Sequence, residues 1–423
     1  MSSSTGAPAV APGDEVAERR LRRDRLMTTL SGFAVFGLAF ATGPILARSL
    51  GVSGRGAVAA VLIPTQVLGW MLMLGIPQAT AYFARIRDNR QLIMSSWVVT
   101  LVVGVPVITL IWPFVPALLS DYPPVTVDFF RAFLVASLLV LPFTNTIDLL
   151  RGLGRIPAFN FFRLLQYIVN AALLSLLFLT DRLDLRLALL IALVANVGAW
   201  ILTIGVNRTW PGRGFRRSVF REQLNYGTRA WIGTMSAMVI ARFDQVLMVG
   251  VVEPAALGLY VVAASIAQIT GPIGQGVALS LFPHLRGEAE NAEQQHNMTT
   301  SALRWTFIAS SGTAALVALT APFLLPLVFG QAFAPSVTPL LILLPGQVCL
   351  DMANVVSAKL EADNRPGRAS AGTALGAITT VTFVIPAVAV FGISGAAFVT
   401  SASQALVLIF VWVSDRGGGG RRG

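Results

Sequence analysis

Residues Ala241–Arg286 read ARFDQVLMVGVVEPAALGLYVVAASIAQITGPIGQGVALSLFPHLR, which is two apolar runs joined by a short turn. Arg242 and Asp244 lie inside the first run, and the second run closes with a proline and an arginine. Charged side chains are costly to bury in apolar surroundings. This pair is therefore the first candidate for a functional role.

A weaker copy of this stretch occupies Gly43–Arg85. The matched positions are Gly56 with Gly258, Gly75 with Gly276, and Arg85 with Arg286. A second pair of similar segments follows the copies, GRIP at 154–157 and NRP at 364–366. Self-similarity of this kind indicates repeated structural units. We therefore expect two related halves.

The composition is that of a protein embedded in a membrane. Of the 423 residues, 55% are hydrophobic and 12% are charged, about half the roughly 25% charged share of soluble domains. Twelve segments are long and apolar enough to cross about 30 Å of hydrocarbon. The predicted spans are 28–47, 57–84, 92–115, 129–150, 158–180, 186–206, 228–252, 256–282, 302–325, 336–358, 369–391 and 393–414.

Arginines are concentrated in alternate loops and before the first span. This bias favours a bacterial cytoplasmic-membrane protein with both termini in the cytoplasm. Six spans per half imply an all-α polytopic fold of two lobes related by a pseudo-two-fold axis along the membrane normal. The expected division is 1–27 disordered or polybasic N-terminus, 28–206 N-lobe, 207–227 cytoplasmic linker, 228–414 C-lobe and 415–423 tail.

Motifs for metal, cofactor or nucleotide chemistry are missing from the sequence. The single Cys349 lies in an apolar run, and His284 and His296 are twelve positions apart, which is no metal-ligand spacing. No phosphate-binding GxxxxGK[ST] loop and no hydrolase motif occurs. We expect no metal, no cofactor, no enzyme activity and no nucleic-acid partner.

Arg242 and Asp244 are about 200° apart around a helix, so they cannot form a simple mutual ion pair. They either line a cavity or tie the two halves together. Arg48, beside the first turn, belongs either to a solvated loop or to the same cationic surface.

Gln66, Gln268 and Gln275 lie in the second and eighth spans. Intramembrane amides often join helices by hydrogen bonds, but in a cavity they would also bind sugar hydroxyls. For a coupling ion, H⁺ or Na⁺, the candidates are the intramembrane carboxylates Asp148, Asp244 and Asp351.

The segments ILARSLGVSGRGAVAAV (45–61), FDQVLMVGVVEPAALGLYVVAAS (243–265), RGLGRIP (151–157) and ADNRPGR (362–368) resemble a known family. They are similar to the oligosaccharidyl-lipid and polysaccharide exporter branch of the multidrug/oligosaccharidyl-lipid/polysaccharide superfamily. The resemblance implies a V of two six-helix lobes around a central cavity. It would place Arg48, Gln66, Arg242, Asp244 and Gln268 in or near that cavity.

The function that follows is a flippase for a polyprenyl-diphosphate-linked oligosaccharide or related glycan lipid, working by alternating access. Its expected partners are that substrate, the membrane lipids, and H⁺ or Na⁺. The alternatives are an ion-coupled exporter of cationic drugs, whose cavity should offer carboxylates and aromatic rings, a lipid II flippase, and a membrane glycan ligase or polymerase. The related lipid II flippases commonly have fourteen spans, so the twelve spans predicted here disfavour the lipid II assignment.

Overall fold

The computed structural model describes residues 12–287 and 292–416, which are helical almost throughout and include no strand. The helices are α1 (12–50), α2 (52–71 and Ile76–Phe83), α3 (Asn89–Leu118), α4 (Pro124–Ser137 and Val140–Gly152), α5 (Ile156–Leu179), α6 (Leu185–Val206), α7 (Arg217–Met248), α8 (Pro254–Ala267 and Gly271–Gly287), α9 (Ala292–Phe329), α10 (Val337–Ala362), α11 (366–391) and α12 (393–416). We refer to helices α1–α6 as the N-lobe and to helices α7–α12 as the C-lobe.

Two glycines divide helical stretches that would otherwise be continuous. Pro12–Met71 is interrupted at Gly51, where φ is 66° and ψ is −172°. Pro366–Arg416 is interrupted at Gly392, where φ is 59° and ψ is −147°. Glycine adopts a positive φ at little cost. Each stretch is therefore two helices that meet at a kink.

The predicted all-α fold of twelve helices in two lobes is confirmed. Eight helical stretches of the described chain are long and apolar enough to span a membrane, or nine with the bent pair of α4. Two of those eight are the stretches divided at Gly51 and Gly392. The remaining helix, α7, carries Arg242 and Asp244 and is for that reason more polar.

The ends of two segments differ from the expected division of the chain. Helix α1 begins at Pro12, so residues 12–27 are helical rather than disordered, and the basic run expected there lies on this helix. Helix α7 begins at Arg217, inside the linker expected at 207–227. Residues 1–11, 288–291 and 417–423 lie outside the described residues, and so does most of the expected 415–423 tail.

The second pair of similar segments forms the same turn in both lobes. After α4, the Arg155 amide donates to the Leu150 carbonyl at 2.9 Å, and after α10 the Arg365 amide donates to the Leu360 carbonyl at 2.8 Å. Gly154 and Asn364 precede these donors with φ of 74° and 62°. This is the Schellman ending of a helix, so the sequence echo encodes a shared helix stop.

The first repeat places two glycines at the crossing of α2 and α8. A Cβ atom on Gly56 would lie 1.7 Å from the Pro254 carbonyl oxygen, and one on Gly258 would lie 2.0 Å from the Val52 carbonyl oxygen. Pro254 lies four residues before Gly258, and Val52 lies four residues before Gly56. Each glycine therefore packs against the backbone one helical turn before the other glycine. Small residues allow such close approach of helices in membranes. The lobes therefore meet tightly at this end, which we call the Gly51 end.

We expect Gly56→Ala to destabilise the protein by at least about 2 kcal/mol, because the added methyl collides with backbone and the two helices must separate. The change should be visible as a lower midpoint of thermal unfolding in detergent. Gly312→Ala is the matched control, since a Cβ there would meet nothing within 4 Å. Equal midpoints for the two variants would contradict the close crossing.

At the opposite end, which we call the Arg85 end, the seam between the lobes is closed on one side only. A Cβ on Gly75 of the α2 break would lie 2.0 Å from the Gly227 carbonyl oxygen of α7. Gly276 of α8, the repeat partner of Gly75, is exposed and a Cβ there would meet no atom within 4 Å. The second half of α8 packs instead on α9 and α10. The α2–α7 side is thus closed, whereas among the described residues α8 has open space at Gly276 on the α1–α8 side.

Candidate functional site

A cavity of about 420 Å³ lies among α2, α4, α5, α6 and α7. We call it the N-lobe cavity, although Trp231 of α7 brings the C-lobe into its wall. The cavity lies on the closed α2–α7 side of the seam. The break in α2, which packs on α7 at Gly75, also contributes Met73 to the lining. Its size falls within the roughly 300–1,000 Å³ of small-molecule sites.

Five amide side chains line the N-lobe cavity. They are Gln66, Gln78, Gln166, Asn170 and Asn196. The oxygens Asn170 Oδ1 and Gln78 Oε1 are buried without a hydrogen-bond partner. Asn196 Nδ2 donates to the Ala192 carbonyl at 2.7 Å, and its Oδ1 takes no part in this hydrogen bond. Buried polar atoms are normally paired, so these groups point to a polar ligand or water.

Asp148 is the one charged side chain among the described residues that line this cavity. Its Oδ1 lies 3.1 Å from Nη2 of Arg151, one helical turn further along α4. The pair carries no net charge. The N-lobe cavity is therefore polar but close to neutral.

Three tryptophans complete its wall. Trp231 Nε1 donates to the Trp70 carbonyl at 3.4 Å, which joins α7 to α2. Trp200 Nε1 donates to Gln166 Oε1 at 2.8 Å, which orients that amide. Trp70 is 39% exposed. The aromatic surface and the amides thus share one space.

A smaller cavity of about 120 Å³ lies in the C-lobe, and we call it the C-lobe cavity. Its polar lining is Asp244, Gln245, Gln268, Gln275, Gln347, Thr400 and Gln404. Both side-chain polar atoms of Gln245 are buried without a partner, as is Gln404 Oε1. These amides face the single carboxylate Asp244, so the site is rich in oxygen ligands.

Asp244 is 2% exposed and is held by three donors. Tyr260 Oη of α8 donates to Oδ2, and Thr400 Oγ1 of α12 donates to the same oxygen at 3.1 Å. The main-chain N–H of Gln245 donates to Oδ1 at 2.8 Å. Charge-assisted bonds of this kind stabilise a carboxylate. No ion pair within the described part of the chain joins Asp244 to Arg242, as the spacing predicted.

Asp351 is fully buried on α10, next to the C-lobe cavity. Ser310 Oγ of α9 donates to its Oδ2 at 2.8 Å, while Oδ1 has no partner within hydrogen-bond geometry. A Cβ on Gly274 would lie 2.6 Å from the Asp351 Cα. Asp351 therefore lies at a tight contact between α8 and α10 rather than on the cavity surface.

Arg242 lies between the two cavities. It interacts electrostatically with Asp244 of the C-lobe cavity, with Tyr167 of the N-lobe cavity and with Arg55 of α2. Arg55 Nε is buried without a hydrogen-bond partner. Two guanidinium groups from different lobes are thus electrostatically coupled to each other, and one of them is also coupled to Asp244.

Arg48 lies apart from both cavities. Its side chain is exposed, and its Nε donates to the Val328 carbonyl at 2.9 Å while Nη2 donates to the Leu327 carbonyl. These carbonyls are in the last turn of α9, where helical partners are lacking. A cation there also interacts favourably with the helix dipole. The contact ties α1 to α9 at the Gly51 end.

We expect Arg48→Ala to lower stability by about 1 kcal/mol, since it removes hydrogen bonds to a helix terminus, and to leave unchanged the lipid transport that the sequence leads us to expect. Thermal unfolding and a transport assay on the same preparation measure the two effects. A loss of transport at unchanged stability would instead support a role of Arg48 in binding the substrate.

The structure divides the predicted residues instead of joining them in one cavity. Gln66 and Asp148 line the N-lobe cavity, whereas Asp244, Gln268 and Gln275 line the C-lobe cavity. The sequence interpretation did not single out Trp70, Trp231, Gln78, Asn170 or Asn196. Polar residues inside otherwise apolar spans were the available signal for the amides, while nothing distinguished these tryptophans from interfacial ones.

A family model described as "Polysaccharide biosynthesis protein" matches residues 45–338. No curated protein matches the chain in sequence at a significant level.

Several solved structures share the fold over nearly the whole chain. An inward-facing multidrug resistance MATE family transporter of the MOP superfamily has 17% identity and a TM-score of 0.73, with 90% of this chain and 94% of that chain covered. The lipid II flippase MurJ in an inward closed conformation has 12% identity and a TM-score of 0.72, with 93% and 87% covered. The MATE multidrug transporter DinF-BH has 16% identity and a TM-score of 0.67, with 98% of each chain covered.

Proposed function

Because the chain belongs to a family of polysaccharide biosynthesis proteins, we propose that it moves a polyprenyl-diphosphate-linked oligosaccharide, or a related glycan lipid, between the leaflets of a membrane. The predicted resemblance to the exporter branch of the superfamily is confirmed by that family and by the shared fold.

A pair of arginines from different lobes is the observation that carries the proposal. Arg55 of α2 and Arg242 of α7 are half-buried and repel each other electrostatically, and Arg55 Nε has no hydrogen-bond partner. Like charges in low-dielectric surroundings repel, so the pair favours an anion between them. A diphosphate accepts charge-assisted, bidentate hydrogen bonds from guanidinium groups. The linkage of a polyprenyl-diphosphate glycan has this chemistry.

The openings of the seam fit a lipid substrate. At the Gly51 end, Gly56 and Gly258 hold the lobes together, and at the Arg85 end only the α2–α7 side is closed. We infer that the α1–α8 side, where a Cβ on Gly276 would meet no atom within 4 Å, is open to the surrounding membrane. A polyprenyl chain can stay in the hydrocarbon there while its polar head group reaches the arginines. Alternating access would then exchange which end is closed.

The direction of movement follows from the expected orientation. With the arginine-rich loops in the cytoplasm, the Arg85 end faces the cytoplasm of a bacterial cell and the Gly51 end faces outward. The open side then accepts substrate from the inner leaflet. The partners are the lipid-linked glycan, the membrane lipids and a coupling H⁺ or Na⁺.

A reconstituted system tests this function. Protein in liposomes would be given a fluorescent polyprenyl-diphosphate-linked N-acetylglucosamine oligosaccharide, and its exposure to a membrane-impermeant quencher would be followed. The same glycan on a neutral lipid without the diphosphate is the matched substrate control. We expect movement of the diphosphate lipid only. No movement of either lipid, together with uptake of a fluorescent organic cation, would contradict the proposal.

One observation favours the second candidate, an exporter of cationic drugs. The N-lobe cavity combines Asp148 with Trp70, Trp200 and Trp231, the types of residue expected to bind an organic cation. The ion pair with Arg151 at 3.1 Å already neutralises that carboxylate. The arginine pair would also repel a cation, so the glycan lipid remains the better fit.

A further inference from the structure

We propose that the N-lobe cavity is a saccharide-binding site for an uncharged sugar unit. That this sugar belongs to the transported glycan lipid rests on the proposed function, whereas the binding chemistry stands on the cavity alone.

Charge is the first reason for an uncharged ligand. The described lining carries one carboxylate, Asp148, and Arg151 neutralises it from 3.1 Å. The arginine pair belongs to the seam, and neither arginine is among the lining residues of this cavity. A charged ligand would lose its hydration on entering this cavity and would find no opposite charge there, so its desolvation would not be compensated.

The amides match the pattern of sugar hydroxyls. Each hydroxyl both donates and accepts, and the wall offers both kinds of partner. Asn170 Oδ1 and Gln78 Oε1 are buried acceptors without a donor. Gln166 Oε1 accepts a hydrogen bond from Trp200 Nε1 at 2.8 Å. This bond leaves the Nε2 group of Gln166 as the donor that can bind a sugar hydroxyl. Gln66 is exposed within the cavity and makes no hydrogen bond to any described residue.

The tryptophans supply the complementary apolar surface. A pyranose ring has an apolar face of C–H bonds, and aromatic faces attract such weakly positive hydrogens. Trp70 and Trp231 lie on adjacent helices, and the Trp231 indole donates a 3.4 Å hydrogen bond to the main-chain carbonyl of Trp70, which orients the Trp231 ring. A sugar in this cavity therefore meets aromatic surface and free amide groups at once. The volume of about 420 Å³ holds a short saccharide.

Ligand-observed NMR on the full chain tests the site. Protein in lipid nanodiscs, free of any maltoside or glucoside detergent, would be titrated with the methyl glycosides of glucose, galactose and N-acetylglucosamine. We expect saturable transfer from protein to at least one of them. Trp70→Leu and Gln66→Met should each weaken the apparent affinity about tenfold, because each removes one partner of the sugar.

Two variants separate binding from folding. Trp305→Leu is the matched control, since Trp305 is 67% exposed on α9 and outside the cavity, and it should bind like the wild type. Gln66→Met is expected to fold normally, because the Gln66 side chain makes no hydrogen bond to any described residue. A loss of sugar binding in this variant would therefore not be due to misfolding. No saturable binding by the wild type, or equal binding by all variants, would overturn the site. Saturable binding of tetraphenylphosphonium in place of the sugars would assign the cavity to cations.

The transport assay keeps the two proposals apart. Sugar binding without movement of the diphosphate lipid would remove the proposed function and leave the saccharide site standing. Movement of the lipid without saturable sugar binding would remove the site and leave the function.

Discussion

Replacing Arg242 with alanine is expected to reduce movement of the diphosphate-linked glycan by about 10- to 100-fold while the protein still folds and inserts. A hydrogen bond to a charged group contributes about 1.5–3 kcal/mol, which corresponds to this range. Arg242 also offsets the charge of Asp244 and interacts with Arg55. Folding should survive, because Asp244 keeps its three donors. The fluorescent-lipid assay measures the loss.

Two further substitutions decide whether the guanidinium itself matters. Arg242→Lys keeps the charge but loses the bidentate geometry, so we expect partial activity. Arg131→Ala is the matched control, since Arg131 of α4 lies over the Trp112 ring at 5.3 Å and outside both cavities. Wild-type rates for Arg242→Ala, or an equal loss for Arg131→Ala, would remove the arginine pair from the mechanism.

Most of the fold could be predicted because a membrane limits the choices. Long apolar runs must be helices when no water can satisfy their backbone groups. The glycine pair Gly56 and Gly258 was visible as a repeat, and its reciprocal contact required only that two small residues recur in equivalent helices. The GRIP and NRP segments likewise marked two equal helix stops. Local chemistry determined these features directly.

The site was harder to predict, because uniformly apolar helices do not reveal which face lines a cavity. Gln66 and Gln268 are equivalent in the repeat, yet the structure puts them in separate cavities of different size. Arg48 resembled a cavity residue from its place near the turn, but its side chain reaches the end of α9. Rotations of helices and offsets between lobes decide such outcomes. They depend on tertiary packing that a single sequence does not show.

Replacing Asp244 with asparagine should abolish the dependence of transport on an imposed H⁺ or Na⁺ gradient. Asparagine keeps the size of the side chain but cannot take up a proton as a carboxylate does, and it has no charge to hold a cation. Its amide can still bond to the Tyr260 and Thr400 hydroxyls, because hydroxyls donate and accept. The variant should therefore fold. Transport rates in liposomes with and without each gradient would measure the effect.

Asp351→Asn is the matched control for a buried carboxylate in the same lobe. Asp351 is hydrogen-bonded to Ser310 and packed against Gly274, so we expect it to join helices and to leave the gradient dependence intact. Asp244 differs because it lines the C-lobe cavity beside the unpaired Gln245, and three helices meet at its oxygens. A proton or cation that neutralises Asp244 would change its bonds to α8 and α12 together and alter the packing of the C-lobe. If Asp351→Asn loses the gradient response and Asp244→Asn keeps it, the coupling site lies between α9 and α10 instead.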